Sequence, residues 1–400
     1  MSTKLGFVLT HPIQYFTPLF RKLAALPGID LRVYYCHRAS PREQSAAGFG
    51  VPFDWDVSLF GGYEHSFLEN VASQPSTSGF WGMDVPGIKN KVSRDKLDAL
   101  IINGWHFKGA FQAMIAGWRH DVPVLLKSDS QLLTERSPLT LAAKKLAYPR
   151  FMRRVDGFLA AGQLAKDYFL HYGAAPDRVF VVPHCVDDER IASDVSQLMG
   201  ERDKIRAAWD VKAWQIVWLF VGKFTEQKRP LDFINAVAEL NRRDGKSVGM
   251  MIGDGPLRQR CEEYARLHHV PVRFVGFLNQ SEIVRGYTAG DALLVPSAGE
   301  TWGLVANEAM LCGLPCFVSN QVGCGPDLIH DGVTGAVFPV GDPVACAGVL
   351  GQYSERQVLA RMGQAAIERS GKFSVSVVAH ALINAVHKTI AKSHSLKLSA

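Results

Sequence analysis

The amino-acid sequence predicts an α/β protein built from two doubly wound domains that follow each other along the chain. Short runs rich in Val, Ile, Leu and Phe alternate with longer amphipathic segments, which is typical of βαβ units around buried parallel strands. The chain also has 400 residues, which is more than a single hydrophobic core usually serves. We therefore expect two sheets, each covered by helices.

The apolar runs of strand length form two series. The first series comprises residues 4–9, 31–36, 99–102, 122–126, 157–161 and 179–182. The second comprises residues 216–221, 248–252, 272–275, 292–295, 316–318 and 336–338. The polar, acidic stretch 187–204 between them is interpreted as a linker that enters the second domain through a helix. The predicted domains are residues 1–190 and 200–373, and a helix over about residues 374–400 can pack back on the first.

The composition narrows the class of protein. A hydrophobic share of 47% and a charged share of 20% are ordinary for globular proteins and exclude a disordered or collagen-like chain. No apolar run reaches the roughly 18 residues that span a bilayer. The apolar run near the N-terminus is too short for the core of a signal peptide, so a cytoplasmic location is expected. Seven scattered cysteines without a Cys-x-x-Cys pair are expected to be reduced thiols. The net charge of +6 does not choose between nucleic acid, anionic lipid and a small anion.

A long segment, residues 40–92, is rich in Gly, Ser and Pro and carries several aromatic residues. A loop of this length inside a compact domain is usually functional or disordered. Its aromatic residues favour an ordered binding loop, and the alternative is an irregular excursion that packs on the surface.

The segment 296–310 follows an apolar strand and opens an amphipathic helix. Open parallel sheets bind ligands at the carboxyl ends of their strands, where the N-terminus of a helix offers free N–H groups to an anion. Glu300 precedes this helix and Glu308 lies inside it. Because carboxylates accept hydrogen bonds from vicinal hydroxyl groups, the segment predicts a ligand with both an anion and a sugar or ribose.

Two further segments follow strands at the same predicted edge. Lys223 and Lys228 follow the strand 216–221, and two cations there suit a diphosphate. Gly253 and Gly255 follow the next strand and allow close approach of the backbone to a ligand, although a plain turn explains them as well. Phe277 ends another strand and is a candidate contact for a base.

Together these motifs resemble glycosyltransferase family 4, whose members have the GT-B fold of two Rossmann-like domains facing a cleft. The resemblance covers about 120 residues. It is carried by the Glu-x7-Glu element Glu300 to Glu308, then Gly313-Leu-Pro315 and Asp331-Gly-Val-Thr-Gly335. The family's Gly-Arg and Lys-Gly pair is similar to Gly222-Lys223 and Lys228-Arg229, with Lys in place of the first Arg and Arg in place of the second Gly.

The resemblance implies a retaining, metal-independent transfer of a sugar from a nucleotide-diphosphate sugar to a hydroxyl acceptor. UDP-sugar is favoured, with GDP-sugar as the alternative, and the acceptor is a sugar or lipid-linked glycan of cell-surface polysaccharide or glycolipid synthesis. No cofactor and no nucleic acid are implied. The implied donor-binding residues are Gly222, Lys223, Lys228, Gly253, Gly255, Phe277, Glu300, Thr301, Trp302, Gly303, Leu304, Val305 and Glu308. The implied catalytic residues are His106, Glu300, Lys223 and Lys228.

The acceptor is expected to contact residues of the first domain, namely His11, Gln14, His106 and Asp129. Each histidine has a structural role at a strand end as its alternative, and Asp129 is equally explained as a helix N-cap. Asp54-Trp-Asp56 spells the Asp-x-Asp motif of metal-dependent transferases, but the resemblance argues against a metal.

The stretch 144–154 mixes five basic residues with apolar ones. Peripheral contact with an anionic membrane at its inner face and a solvated helix surface both explain it. Among functions, a hydrolase or epimerase on the same fold and a non-catalytic nucleotide-sugar-binding subunit remain alternatives. A nicotinamide enzyme is disfavoured because Gly-x-Gly-x-x-Gly is absent after the first strand.

Overall fold

The structure, a computed structural model, describes residues 2–40, 43, 50–133 and 136–398. The chain divides into two compact units. The first unit combines the residues up to 40 with residues 58–185 and the C-terminal residues from 375. The second unit contains residues 186–374 and a short segment of which residues 50–57 are described.

The first unit is built on a seven-stranded sheet in the order β3-β2-β1-β4-β5-β6-β7, and all of its described strand pairs are parallel. The strands are β1 (Thr3–Leu9), β2 (Ile29–Tyr35), β3 (Glu64–Phe67), β4 (Ala99–Asn103), β5 (Val124–Ser128), β6 (Gly157–Ala160) and β7 (Val179–Val181). The predicted strands of the first series are therefore present, with bounds shifted by one or two residues. The edge strand β3 was not predicted, because Glu64-His65-Ser66-Phe67 lacks an apolar run.

Helices cover both faces of this sheet. They are α1 (Phe16–Ala25), α2 (Ile88–Asp95), α3 (Lys108–Arg119), α4 (Pro138–Met152), α5 (Gln163–His171) and, at the end of the chain, α15 (Val375–Leu398). Val378 and Leu382 of α15 are fully buried in the same core as Leu5 and Phe7 of β1. The last helix of the chain therefore completes the core of the first unit.

The second unit is built on a six-stranded parallel sheet in the order β10-β9-β8-β11-β12-β13. Its strands are β8 (Ile216–Val221), β9 (Ser247–Ile252), β10 (Val272–Gly276), β11 (Ala292–Val295), β12 (Cys316–Ser319) and β13 (Gly335–Phe338). Its helices are α6 (Asp188–Gln197), α7 (Arg202–Ala208), α8 (Pro230–Asp244), α9 (Arg258–Leu267), α10 (Ile283–Ala289), α11 (Leu304–Leu311), α12 (Gly325–Leu328), α13 (Pro343–Gly351) and α14 (Arg356–Ser370). Every strand predicted in the second series is present.

The stretch 187–204, predicted as a linker that enters the second domain through a helix, is largely helical and belongs to the second unit. These residues form α6 and the start of α7, and the side chain of Asp187 caps α6 by accepting from the Arg190 backbone N–H at 3.2 Å. Arg202 Nη2 lies 2.6 Å from Oδ1 of the buried Asp291. The polar composition that suggested a linker therefore reflects capping and ion pairs.

Residues 356–395 contain a stretch long and apolar enough to cross a membrane, with a mean hydropathy of 1.2. This range comprises most of α14 and α15, and Val378, Leu382 and Val386 in it are completely buried in the first unit's core. Since buried helices of a protein core have the same composition, the stretch is explained by packing. All seven cysteines are free thiols.

Candidate functional site

The second unit has a topological switch point between β8 and β11, which are neighbours in its sheet. The chain continues from β8 to β9 on one side of this point and to β12 from β11 on the other. In open α/β sheets the loops at the carboxyl ends of such strands diverge and leave a crevice for a ligand. The loops 222–229 and 296–303 flank this crevice, and both carry predicted site residues.

Hydrogen bonds join these two loops. The Ala298 N–H donates to the Gln227 carbonyl at 2.7 Å, and Gln227 Nε2 donates to the Gly299 carbonyl at 3.0 Å. The ammonium of Lys228 forms an ion pair with Oε2 of Glu300. Two charged residues predicted from separate motifs therefore meet at one point.

Lys228 is largely enclosed, with 23% of its side chain exposed. Burial, together with the charge of Lys223, lowers the pKa of Lys228 to about 8, while the ion pair with Glu300 favours the charged form. Burial also lowers the pKa of Lys223. These two cations repel each other. An anion bound between them would relieve this repulsion and would be attracted by both.

Helix α11 begins at Leu304, with Gly303 before it at φ +98°. The first N–H groups of a helix have no acceptor within the helix, so this end can bind an anion. Trp302 is buried, and its indole Nε1 donates to Oδ1 of Asn307 at 2.8 Å, which fixes the loop to the helix. Thr301 is exposed beside it.

Glu308 is buried on α11 and accepts a hydrogen bond of 2.7 Å from the Tyr287 hydroxyl. Burial raises the pKa of Glu308, an effect that Tyr287, Arg190 and Gln280 oppose. Arg190 in turn donates to the Gln280 side chain at 2.8 Å. The sequence did not indicate Arg190 of α6, Tyr287 of α10 or Gln280 of the loop before α10. These residues lie on separate elements, and only the fold brings them to Glu308.

Gly253 and Gly255 lie where the loops after β8 and β9 touch. A Cβ on Gly253 would stand 2.0 Å from the Gly222 carbonyl oxygen, and one on Gly255 would stand 2.7 Å from the Phe224 nitrogen. Both have positive φ, +131° and +153°. These glycines are therefore required by contact between two loops, and close approach to a ligand stays a prediction.

Part of the long segment 40–92 belongs to the second unit. The ring of Phe53 lies 4.6 Å from that of Phe277, and Asn279 Nδ2 donates to the Asp54 carbonyl at 2.8 Å. Asp56 accepts from the Ser281 N–H at 3.1 Å. Asp54-Trp-Asp56 therefore attaches residues 50–57 beside Phe277. Phe49, another aromatic residue of this long segment, lies outside the described residues.

The first unit has a cavity of about 760 Å³ at its own switch point, between β1 and β4. Loops after β1, β4 and β5 line it. Three of the four predicted acceptor contacts, His11, His106 and Asp129, are among its lining residues, whereas Gln14 is not. His11, His106 and Asp129 come from three different loops and are thus brought together here.

The predicted contacts of the cavity have partners within the first unit. The Thr10 hydroxyl lies 2.9 Å from Nδ1 of His11, and Nε2 of His184 lies 3.7 Å from Oδ2 of Asp129. Burial lowers the pKa of His184. The next helix, α4, is capped by Ser137, which accepts from the Thr140 N–H at 3.3 Å, so Asp129 is not its N-cap.

Sequence reasoning missed the far wall of this cavity, which is lined by Arg136, Lys144, Tyr148, Tyr168, His171 and Tyr172. The sequence indicated Lys144 only as part of the basic stretch 144–154. Lys144 and Tyr148 are four residues apart on α4, and Tyr168 and Tyr172 are four apart along α5 and its end. This spacing places each pair on one helix face, and it was the available signal. Within the described residues, no group of three or more His, Cys, Asp or Glu is arranged to hold a metal ion.

Two family models match the chain, one in each unit. The model for "Glycosyl transferase 4-like domain" matches residues 12–185, and that for "Glycosyl transferases group 1" matches residues 201–369. Among curated relatives, a D-inositol 3-phosphate glycosyltransferase of Saccharomonospora viridis is 32% identical over 232 residues, 55% of this chain and 52% of the relative. The chain thus spans about half the length of the curated relatives it matches.

Solved structures share the fold along nearly the whole chain. A glycosyltransferase from Rickettsia africae has a TM-score of 0.74 at 14% identity and covers 97% of this chain and 99% of its own. Anabaena HepE in complex with UDP has a TM-score of 0.70 at 17% identity, with coverage of 96% and 99%. The two-domain Rossmann-like architecture of the GT-B fold is therefore confirmed.

Proposed function

Because the chain belongs to glycosyltransferase family 4, we propose that it transfers a sugar from a nucleotide-diphosphate sugar to a hydroxyl group of an acceptor. The observation that carries this proposal is the meeting of Lys228, Glu300 and the N-terminus of α11 at the switch point of the second unit. The UDP in the structure of HepE supports UDP-sugar as the donor, and GDP-sugar remains the alternative.

Separate residues are proposed to bind the diphosphate, the sugar, the ribose and the base of the donor. Lys223, Lys228 and the N–H groups of residues 303–305 would hold the diphosphate, because each offers a donor and positive charge. Glu300 would accept from hydroxyl groups of the sugar, and Glu308 from those of the ribose. Phe277 would contact the base, and Gly222, Gly253 and Gly255 shape the loops around it.

The ion pair between Lys228 and Glu300 suggests how the free site is kept ready. Without donor, each charge satisfies the other in a largely enclosed place. With donor bound, the ammonium would turn to the diphosphate and the carboxylate to the sugar hydroxyls. The site would then need little reorganisation, which is how pre-organised charges favour a transition state.

Transfer is proposed to retain the anomeric configuration and to need no metal. The bond between the anomeric carbon and the diphosphate oxygen breaks, and the acceptor oxygen bonds to that carbon from the same face. The proton of the acceptor hydroxyl passes to the leaving diphosphate, whose charge Lys223, Lys228 and the helix stabilise. The two lysines supply the positive charge that a metal supplies in other transferases.

The acceptor is proposed to bind in the cavity of the first unit. His11, His106 and Asp129 line it, and the exposed His106 is proposed to face the reacting sugar. Gln14 does not line the cavity, and its contact with the acceptor stays a prediction. We propose a sugar or lipid-linked glycan of cell-surface polysaccharide or glycolipid synthesis as the acceptor, in the cytoplasm.

Product analysis tests this function. The protein is incubated with UDP- and GDP-sugars and a panel of hydroxyl acceptors, with and without a chelator, and the product linkage is determined by NMR. A glycoside with the donor's anomeric configuration, formed despite the chelator, is expected. Free sugar alone would indicate a hydrolase, an isomerised donor an epimerase, and nucleotide binding without turnover a binding subunit.

Peripheral membrane contact is proposed for α4. Leu139 and Leu146 are 84% and 69% exposed on this helix, next to Lys145 and Arg150. An exposed apolar and basic helix face suits an anionic lipid surface. Sedimentation with anionic vesicles should be weakened by Leu146→Ser and unaffected by Leu267→Ser, a leucine of the second unit that is also 69% exposed. Equal sedimentation of all variants would contradict membrane contact.

A further inference from the structure

The far wall of the first unit's cavity carries a group of cations and phenols that the proposed transfer does not use. We call it the tyrosine–cation cluster, and it comprises Arg136, Lys144, Tyr148, Tyr168 and Tyr172. The ammonium of Lys144 donates to the Tyr168 hydroxyl at 3.1 Å. It also lies 5.4, 5.5 and 5.8 Å from the ring centres of Tyr148, Tyr168 and Tyr172.

The cluster has an excess of positive charge. Among the described residues that line the cavity, Asp129 is the one carboxylate, and it faces His184. The third cation of the lining, Lys127, donates to the Val182 carbonyl at 2.7 Å. In the described part of the chain, neither Arg136 nor Lys144 forms an ion pair with a carboxylate. Arg136 is close enough to Lys144 that its charge, with burial, lowers the pKa of the ammonium.

Two neighbouring cations in a partly enclosed site repel each other, and this repulsion is relieved when an anion binds between them. Every polar group of the cluster can donate a hydrogen bond: an ammonium donates three, a guanidinium five and each phenol one. That number exceeds what the two oxygens of a carboxylate accept, whereas a phosphate group has more oxygens and up to two negative charges. The cluster therefore matches a phosphate better than a carboxylate.

We infer that the tyrosine–cation cluster binds a phosphate group carried by the acceptor. The identification of the phosphate's carrier as the acceptor rests on the proposed function; binding of the phosphate does not. A cavity of about 760 Å³ has room for a sugar or cyclitol phosphate, with its hydroxyl groups toward His11 and His106. The cluster would then select phosphorylated acceptors and fix their orientation.

Inorganic phosphate is the probe, and UDP is added at saturation so that the lysines of the second unit are occupied. The thermal unfolding midpoint is measured against phosphate at constant ionic strength, with chloride as the reference. The test variant is Arg136→Gln with Lys144→Gln. Lys145→Gln is the matched control, because Lys145 neighbours Lys144 on α4, is exposed and does not line the cavity. Arg136→Gln alone replaces the double variant if that variant unfolds, because Arg136 is exposed, and Lys144→Arg, which keeps the charge, is a second control.

Phosphate at about ten times its dissociation constant should raise the midpoint by roughly 2 °C or more in the parent protein, in Lys144→Arg and in Lys145→Gln. The double variant should lose at least about ten-fold in phosphate affinity. No rise in the parent protein, or an equal rise in the double variant, would overturn the inference. Lys228→Gln separates the two proposals, because phosphate binding to the cluster should survive in it even if UDP binding and transfer fail.

The phosphate has two sources, a soluble acceptor or a lipid headgroup. Glucose 6-phosphate and glucose are compared in the UDP-saturated protein, and anionic vesicles of phosphatidylglycerol are compared with neutral ones. Tighter binding of glucose 6-phosphate that depends on Arg136 and Lys144 identifies a soluble phosphate. Vesicle binding that depends on the same two residues identifies a headgroup, and dependence of neither ligand on them contradicts the inference.

Discussion

The two sheets form their candidate binding sites in different ways at their carboxyl edges. The second unit forms its candidate site from loops that contact each other through their backbones, such as Gly253 against Gly222, with a single ion pair at the centre. The first unit leaves a cavity lined by side chains, with Tyr168 and Lys144 from helices on its far wall. A site defined by backbone contacts requires glycines and helix ends at fixed places, whereas a site defined by side chains can change its residues freely.

This difference agrees with the proposed division of substrates. A nucleotide diphosphate is the same in every reaction that uses it, so a fixed backbone arrangement serves it well. Acceptors differ, and a cavity whose lining can vary on an unchanged sheet suits them. If this division holds, substitutions can perturb the two edges independently.

The largest effect is expected from Glu300→Gln. Loss of the carboxylate should lower kcat by about 100-fold or more, because contacts that strengthen in the transition state are lost. The affinity for UDP should stay equal or rise, since Glu300 no longer competes with the diphosphate for Lys228. Steady-state kinetics and calorimetry with UDP measure the two quantities. A parallel loss of UDP affinity would show that Glu300 acts on the nucleotide and not on the sugar.

Lys228→Gln is expected to weaken UDP binding by about 10-fold to 100-fold, because a charge-assisted contact to the diphosphate is removed. Lys144→Gln, a change at the other edge, should leave UDP affinity within about two-fold. Calorimetric titrations of both variants with UDP make the comparison. If Lys144→Gln weakened UDP binding as strongly, the two edges would not act separately.

The pKa of Lys228 gives this contact a pH dependence. A diphosphate beside the ammonium raises its pKa, so UDP affinity should be full below pH 8 and fall as the pH rises through the pKa of about 8 of the free protein. Binding above that pH should take up a proton, which titrations in buffers of different ionisation enthalpy detect. Lys228→Arg should flatten the profile, because a guanidinium keeps its charge. A profile unchanged in Lys228→Arg would assign the pH dependence to another group.

Glu308→Gln is expected to weaken UDP binding by about ten-fold through its ribose contact. Tyr287→Phe removes the hydroxyl that holds Glu308 at 2.7 Å and should cost about three-fold. UMP and uridine distinguish the ribose from the diphosphate, since both changes should weaken uridine binding as much as UDP binding. Loss confined to UDP would place Glu308 near the diphosphate instead.

The smallest effect is expected from Phe53→Ala. Loss of the contact with the Phe277 ring should weaken UDP binding by about two-fold to three-fold if residues 50–57 support the base contact. Phe80→Ala, an exposed aromatic residue of the same long segment in the first unit, is the control. Equal, unchanged UDP affinity in both would mean that residues 50–57 support only the fold.

The sequence predicted the sheets well because each buried parallel strand is a continuous apolar run, as in residues 216–221. It predicted Lys228 and Glu300 because each lies in the loop that follows such a strand. It could not predict Tyr287 beside Glu308, since helix packing brings them together and no spacing records it. The sequence also could not predict the partner of Arg202 in the stretch 187–204, because Asp291 lies 89 positions away along the chain.

The second unit is proposed to bind a nucleotide diphosphate through Lys228 without a metal. Thermal unfolding with UDP, with and without a chelator, in the parent protein and in Lys228→Gln tests it most directly. UDP at about 100 times its dissociation constant should stabilise the parent protein by roughly 2.7 kcal/mol, equally with chelator, and Lys228→Gln much less at the same concentration. Stabilisation that needs a metal ion, or that is the same in Lys228→Gln, would contradict the claim.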